Sequence, residues 1–304
     1  MSGRETVTGS RLLIPAGFAA DERDSLEITP ESAGWAYCGL RVIRLGAGER
    51  RSLATGADEL AVIPLAGSAV VEVDGLRFEL EGRTSVFARV TDWAYAPIGA
   101  DLVLSSDGGA DLALASARAE HRFEPAYVPA VDVPVEIRGA GQATRQVTNF
   151  LAPGAFDDVD RLICVEVLTP EGNWSSYPPH KHDDTPGSPA NNEEIYYFRL
   201  GRAGSTETSA EGFAFHRTYT ADGSIDETVV VRDGDVFLVP RGYHGPCVAA
   251  PGYPLYYLNV MAGPNPERTM AIVDDPAYGW IRATWDGMTP DPRCPMTTAA
   301  GSAT

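Results

Sequence analysis

A chain of 304 residues with 42 Asp and Glu against 24 Lys and Arg carries a formal charge of −18, which repels phosphate backbones and anionic lipid and excludes general nucleic-acid or membrane-surface binding. Glycine at 31 and proline at 23 positions, with few Leu-rich helical stretches, favour turn-rich β structure over a helical bundle. No run of about 18 apolar residues could span a bilayer, and MSGRETVTGSRLLIPAGF at the N-terminus has no apolar signal core, so a soluble cytoplasmic chain is expected.

Taken in chain order, short apolar segments broken by turns run from Trp35 to about Ala119 (GLRVIRLGAGE, ELAVIPLAGSAVVEVDG, RFELEGRTSVFARV, WAYAPIG, DLVLSS). That spacing predicts a β-barrel or sandwich over 1–122. Residues 123–141, with Pro125, Pro129 and Pro134 and no helical period, read as an extended crossover. A second barrel is expected over 142–265, from RLICVEVLTP, the loop HKHDDTPGSPANN, EEIYYFRL, GFAFHRTYT, ETVVVRDGDVFLVPRG and PLYYLNVMAG. The halves echo each other, since GRTSVFARVTDWAYAPIG and GDVFLVPRGYHG both run from Gly through an apolar strand to a Pro-x-Gly turn. The fold class is therefore all-β, two barrels in tandem. Beyond Pro266 a tail carrying Trp280 and Trp285 is expected to pack on the barrels, and PMTTAAGSAT, with nothing to bury, to be disordered. Cys38, Cys164, Cys247 and Cys294 form no CxxC pair and read as reduced and structural.

Strand alternation points His180 and His182 to one face and Lys181 to the other. The next strand opens with Glu193 and Glu194 before the apolar Ile-Tyr-Tyr-Phe, and a carboxylate there is costly to bury unless paired or metal-bound. Further on, Gly234 to Gly242 forms a strand and Pro-x-Gly turn that delivers His244. Three histidines and one carboxylate make an open site for one divalent cation, with Zn, Mn and Fe not distinguished. The first copy of the repeat has Ala100 and Asp101 after its Pro-Ile-Gly turn, so the metal is expected in the second barrel alone. His121 and His216 read as structural. Of the 24 basic residues only Lys181 is a lysine.

The H-x-H, Glu, G-x5-P-x-G and His sequence resembles the metal motif of the cupin superfamily, although Glu194 lies twelve residues after His182, further than is usual. GNWSSYPPHKHD, EEIYYFR, RTYT, DGDVFLVPRGYH and PGYPLYYLNVMAGP together resemble the 5-deoxy-glucuronate isomerases of bacterial myo-inositol degradation. The resemblance implies a bicupin that converts 5-deoxy-D-glucuronate to 5-dehydro-2-deoxy-D-gluconate through a metal-stabilised cis-enediolate. His180, His182, Glu194 and His244 are the expected ligands. Lys181, Arg217, Arg241 and Tyr177, with Arg199 nearby, are candidates for holding the substrate, and Glu193 and Tyr257 for moving its proton. The expected partner is a small sugar acid, with no nucleic acid or membrane and with homo-oligomerisation left open. A metal-dependent dioxygenase and a non-catalytic sugar-binding bicupin are the alternatives.

Overall fold

The computed structural model describes residues 10–19 and 24–302. Two curled sheets meet face to face. Among the described residues, one is seven-stranded and centred on Ile163–Thr169, Leu255–Ala262 and Glu193–Leu200; the other is nine-stranded and centred on Cys38–Leu45, Ala110–Arg118 and Asp58–Val73. A further sheet, including Ala214–Tyr219, Tyr243–Ala249 and the two-residue strand His180–Lys181, closes the second barrel.

The three apolar clusters explain why so many strands read as almost continuously hydrophobic. Ile43, Val62, Val71, Leu102, Leu104 and Leu112 fill the first barrel, and Val147, Val165, Tyr196, Phe198, Phe237 and Tyr257 belong to the interior of the second. Leu40, Ile63, Trp93, Leu168, Ile195, Tyr197 and Val260 pack between the facing sheets. A strand such as Glu193–Leu200 thus buries alternate residues in two different cores, and both faces are mostly apolar. The all-β bicupin reading is the architecture observed.

Two glutamates tie the barrels together reciprocally. Glu59 opens the long strand of the first barrel and is fully buried; it accepts the N–H groups of Asp160, Arg161 and Leu162 at 2.9, 2.6 and 2.8 Å and the Tyr95 hydroxyl at 2.7 Å. Glu193 opens the matching strand of the second barrel and accepts the N–H groups of Ala36, Tyr37 and Cys38 at 2.7–2.8 Å. Each carboxylate therefore caps the entry of the other barrel's first long strand. Strand parity follows: the next residues, Leu60 and Glu194, both turn into their own barrels. Deeper in the interface, Arg83 and Glu166 form a completely buried ion pair, with Nη2 to Oε2 at 2.8 Å.

We keep the division at 122, 141 and 265 as a proposal, with exchanges that the strand pairings add. Leu13–Ile14 joins the second barrel through Phe237 and Val236. The crossover is partly strand: Ala126–Val128 pairs with Trp93–Ala96, and Val135–Arg138 with Arg145–Asn149. The tail corrects two expectations. Trp280 is 66% exposed rather than packed. The final segment, expected to be disordered, forms a hairpin through Thr297–Thr298 and Gly301–Ser302, because Gln146 accepts the Met296 and Thr297 N–H groups at 2.7 and 3.0 Å. Residues 303 and 304 lie outside the described residues.

Candidate metal centre

His180 sits directly opposite His244 on adjacent antiparallel strands, and their ring centres are 4.5 Å apart. The chain leaves its strand after Lys181, so His182 is placed by the following loop, where it is buried. Glu194 lies in the neighbouring sheet, opposite Val239 and Met261, and reaches the same point from the barrel interior. His182, Glu194 and His244 each offer a ligand atom within 4.8 Å of the other two, and all three residues are buried. Glu194 Oε2 is 3.2 Å from His182 Nε2 and 3.0 Å from His244 Nε2.

Whether these residues fit a cation can be tested on their hydrogen bonds. His182 Nδ1 faces the Asn192 carbonyl at 3.3 Å, His244 Nδ1 the Gly242 carbonyl at 3.4 Å, and His180 Nδ1 the Pro178 carbonyl at 3.1 Å. A carbonyl only accepts, so each Nδ1 donates, and the lone pair of the neutral ring is left on Nε2. Asn259 donates its amide to Glu194 Oε1. What remains unbonded and buried is the convergent set of His182 Nε2, Glu194 Oε2 and His244 Nε2. Such orphaned acceptors are costly unless something electropositive sits among them, and imidazole with carboxylate suits a divalent transition ion. His180 adds a fourth nitrogen beside this set.

Electrostatics agree. Burial lowers His244 to about 4 and holds His180 well below its ordinary value, keeping both neutral and able to ligate. Burial opposes charge on Glu194 and His182 alike, but their mutual attraction outweighs it, raising His182 and, with His244 adding to the effect, holding the Glu194 carboxyl far below its usual range. His216, deeper in the barrel, is pushed down by burial to about 3. Its Nδ1 is 3.1 Å from Cys247 Sγ and its Nε2 3.0 Å from Thr218 Oγ1, as befits the structural role read from the sequence.

The two ligand-bearing loops are locked to each other. Asp183, next to His182, accepts the Gly242 N–H at 2.7 Å, in the turn that delivers His244. Lys181 points away from the cluster, as alternation requires. Its Nζ contacts Thr185, lies 3.8 Å from Asp183 Oδ1, and sits 5.5 Å from the centre of the Tyr243 ring. On the other side Gly245, at φ 99°, brings the chain against Ser176: a Cβ there would fall 1.8 Å from the Ser176 carbonyl oxygen. Ser176 Oγ consequently reaches the hydroxyls of Tyr196 and Tyr257 at 3.1 and 3.0 Å.

A cavity of about 150 Å³ opens onto this cluster, its lining including His180, His182, Glu194, Ser176, Tyr196 and Tyr257. Several residues expected to line it do not. Arg217 pairs with Asp226 at 2.9 Å, Arg241 donates to Ser224 at 3.0 Å, and Arg199 pairs with Asp233 at 2.8 Å. Tyr177 stacks edge-on against Trp174 instead. Glu193, a candidate proton carrier, is one residue out of phase with Glu194, so it faces the inter-barrel contact. Arg138, Arg145 and Arg282 are the basic residues that do line the cavity, and sequence reasoning passed over them because they lie 35 or more residues from the histidine motif.

Facing sheets, two barrels and a buried His/Glu centre in the second define a bicupin. The chain belongs to the KduI/IolB family, whose family model matches residues 12–281. It is 41% identical over 275 residues to the 5-deoxy-glucuronate isomerase of Geobacillus kaustophilus, covering 90% of this chain and 95% of that relative. The 5-deoxy-glucuronate isomerase of Bacillus subtilis strain 168 is 36% identical over 258 residues, covering 84% of this chain and 91% of that one. Among solved structures, an IolB-like protein from Salmonella typhimurium LT2 superposes with a TM-score of 0.80 at 33% identity, over 90% of this chain and 99% of that chain. The oxalate decarboxylase of Lactobacillus farciminis shares the fold at a TM-score of 0.63 and 14% identity, over 89% of this chain and 90% of that chain.

Proposed function

We propose that this protein is an aldose–ketose isomerase that converts 5-deoxy-D-glucuronate to 5-dehydro-2-deoxy-D-gluconate, using one divalent cation held by His182, Glu194 and His244 with His180 beside them. The observation that carries the reading is the convergence of three buried, otherwise unbonded ligand atoms at the foot of a cavity of sugar dimensions. The family and its named relatives supply the substrate.

Moving the carbonyl from C1 to C2 requires loss of the C2 proton, gain of one at C1, and transfer of the hydroxyl proton between the two oxygens. A divalent cation would supply Lewis-acid stabilisation of the negative charge that develops on those oxygens. The chain's own contribution is a water-poor barrel and the linked hydroxyls of Tyr196, Ser176 and Tyr257. Burial raises both phenols above their ordinary pKa, which keeps them protonated at neutral pH. Tyr257, which also feels the nearby positive charge of Arg145, is the group we assign to holding the travelling oxygen-bound proton.

The test is direct. Metal-replete protein is incubated with 5-deoxy-glucuronate and the C1 and C2 protons are followed by NMR, with and without oxygen. Equal turnover in both atmospheres supports isomerisation; dependence on oxygen would mark a dioxygenase, and absence of turnover a binding protein.

A further inference from the structure

Of the three guanidinium groups around the cavity, two are already satisfied. Arg282 forms a two-pronged pair with Asp274, one contact at 2.7 Å, and Arg138 pairs with Glu136 at 2.8 Å. Arg145 is different. It is 9% exposed, and among the described residues it has no acidic partner; its one hydrogen bond runs from Nη1 to the Ala143 carbonyl at 3.1 Å. The Trp285 ring, contributed by the C-terminal segment, lies 5.9 Å from its Cζ. Desolvation lowers Arg145 to about 10, which still leaves it charged at neutral pH. A chain with 42 acidic residues has left a buried cation unpaired in the wall of its own reaction cavity.

An isolated buried charge is expensive, and a fork of N–H donors matches a carboxylate. We infer that Arg145 is the anchor for the substrate carboxylate, the residue that makes the site select a sugar acid over a neutral sugar. The inference rests on the isomerase reading for the identity of that acid. Arg138 stands opposite Arg145 in the strand pairing and Arg282 shares the Trp285 ring, 5.6 Å from its Cζ. Both add positive potential, but each has its own counter-ion, so neither needs the substrate to complete it. Trp285 places apolar ring surface beside the anchor.

The experiment uses the full-length, metal-replete chain with the variants Arg145→Met and Arg145→Lys. Steady-state kinetics on 5-deoxy-glucuronate should show KM raised at least thirtyfold in Arg145→Met, with Arg145→Lys intermediate because it restores the charge without the fork. Calorimetric titration should show D-gluconate binding to the native protein far more tightly than its neutral counterpart sorbitol, and that difference should vanish in Arg145→Met. Thermal unfolding separates anchoring from a structural role. Removing an unpaired buried charge should leave the melting temperature of Arg145→Met at or above that of the native protein, whereas loss of a structural arginine would lower it. An Arg145→Met variant whose KM stays within threefold of native, or which keeps the preference for gluconate, overturns the inference. If the native protein fails to isomerise 5-deoxy-glucuronate yet binds gluconate through Arg145, the anchor stands and the choice of substrate falls.

Discussion

Replacing Glu59 tests the reciprocal capping that joins the two barrels. Its Oε1 accepts the N–H groups of Arg161 and Leu162, and its Oε2 accepts the Asp160 N–H and the Tyr95 hydroxyl. In Glu59→Gln the amide NH2 must meet one of these pairs. The cheaper orientation turns it to the Oε2 side, where the Tyr95 hydroxyl can reverse and accept, leaving the Asp160 N–H unmet at a cost of about 1–3 kcal/mol. Glu59→Ala leaves all three N–H groups without their acceptor. By the same measure that is at least about 3 kcal/mol, or a fall in melting temperature of about 6 °C or more. Thermal and urea unfolding at pH 7 read both variants, and metal content by elemental analysis should not change, because the centre lies inside the other barrel. Glu193→Gln is the comparison: its acceptor site is more exposed, so water replaces part of what is lost and the effect should be smaller. A Glu59→Ala protein within about 0.5 kcal/mol of native would refute the claim that the carboxylate holds the barrel entry, since buried donors cannot be stranded at so small a cost.

Three further outcomes follow from the geometry. Elemental analysis should find one divalent cation per chain, lost in His182→Ala, Glu194→Gln and His244→Ala and held more weakly in His180→Ala; stripping it with a chelator should lower stability by about 2.7 kcal/mol where free metal had stood at a hundred times its Kd. Arg83→Met should cost about 3–5 kcal/mol by stranding Glu166 in the interface, and the Arg83→Met, Glu166→Leu double variant should recover most of it in urea titrations; equal instability of single and double variants would mean that packing, and not the charge, is what was lost. Lys181→Arg should reduce turnover or metal affinity at least tenfold, about 1.4 kcal/mol, because the bulkier head must displace Thr185 or Asp183, which hold the two ligand loops together; unchanged kinetics and metal content would make Lys181 an ordinary surface charge.

How much of this was legible depended on whether the signal was local. Alternation and turn spacing reveal strands, and the H-x-H pair, the carboxylate opening an apolar strand and the Pro-x-Gly-x-His turn each show within a few residues, so the barrels and the cluster could be read along the chain. Glu193 and Glu194 show where local reading stops. Both open the same strand, and only the observation that this strand buries both faces, one in its barrel and one against the other barrel, separates the two roles. The same parity places an apolar residue at the matching position of the first barrel: Leu60 follows Glu59 as Glu194 follows Glu193, and its aliphatic side chain completes an apolar core.

The carboxylate anchor was illegible for a different reason. Arg145 carries no motif, and 22 other arginines look the same in the sequence. What distinguishes it is burial in the cavity wall without an acidic partner among the described residues, and that is a property of three-dimensional pairing: Asp226, Ser224 and Asp233 occupy Arg217, Arg241 and Arg199, the arginines that sequence reasoning had singled out. Proximity along the chain favoured cations that folding had already satisfied. In an acidic protein the cation that recognises an acidic substrate has to be kept from the protein's own carboxylates, and burial in the barrel wall beneath Trp285 is a means of doing so.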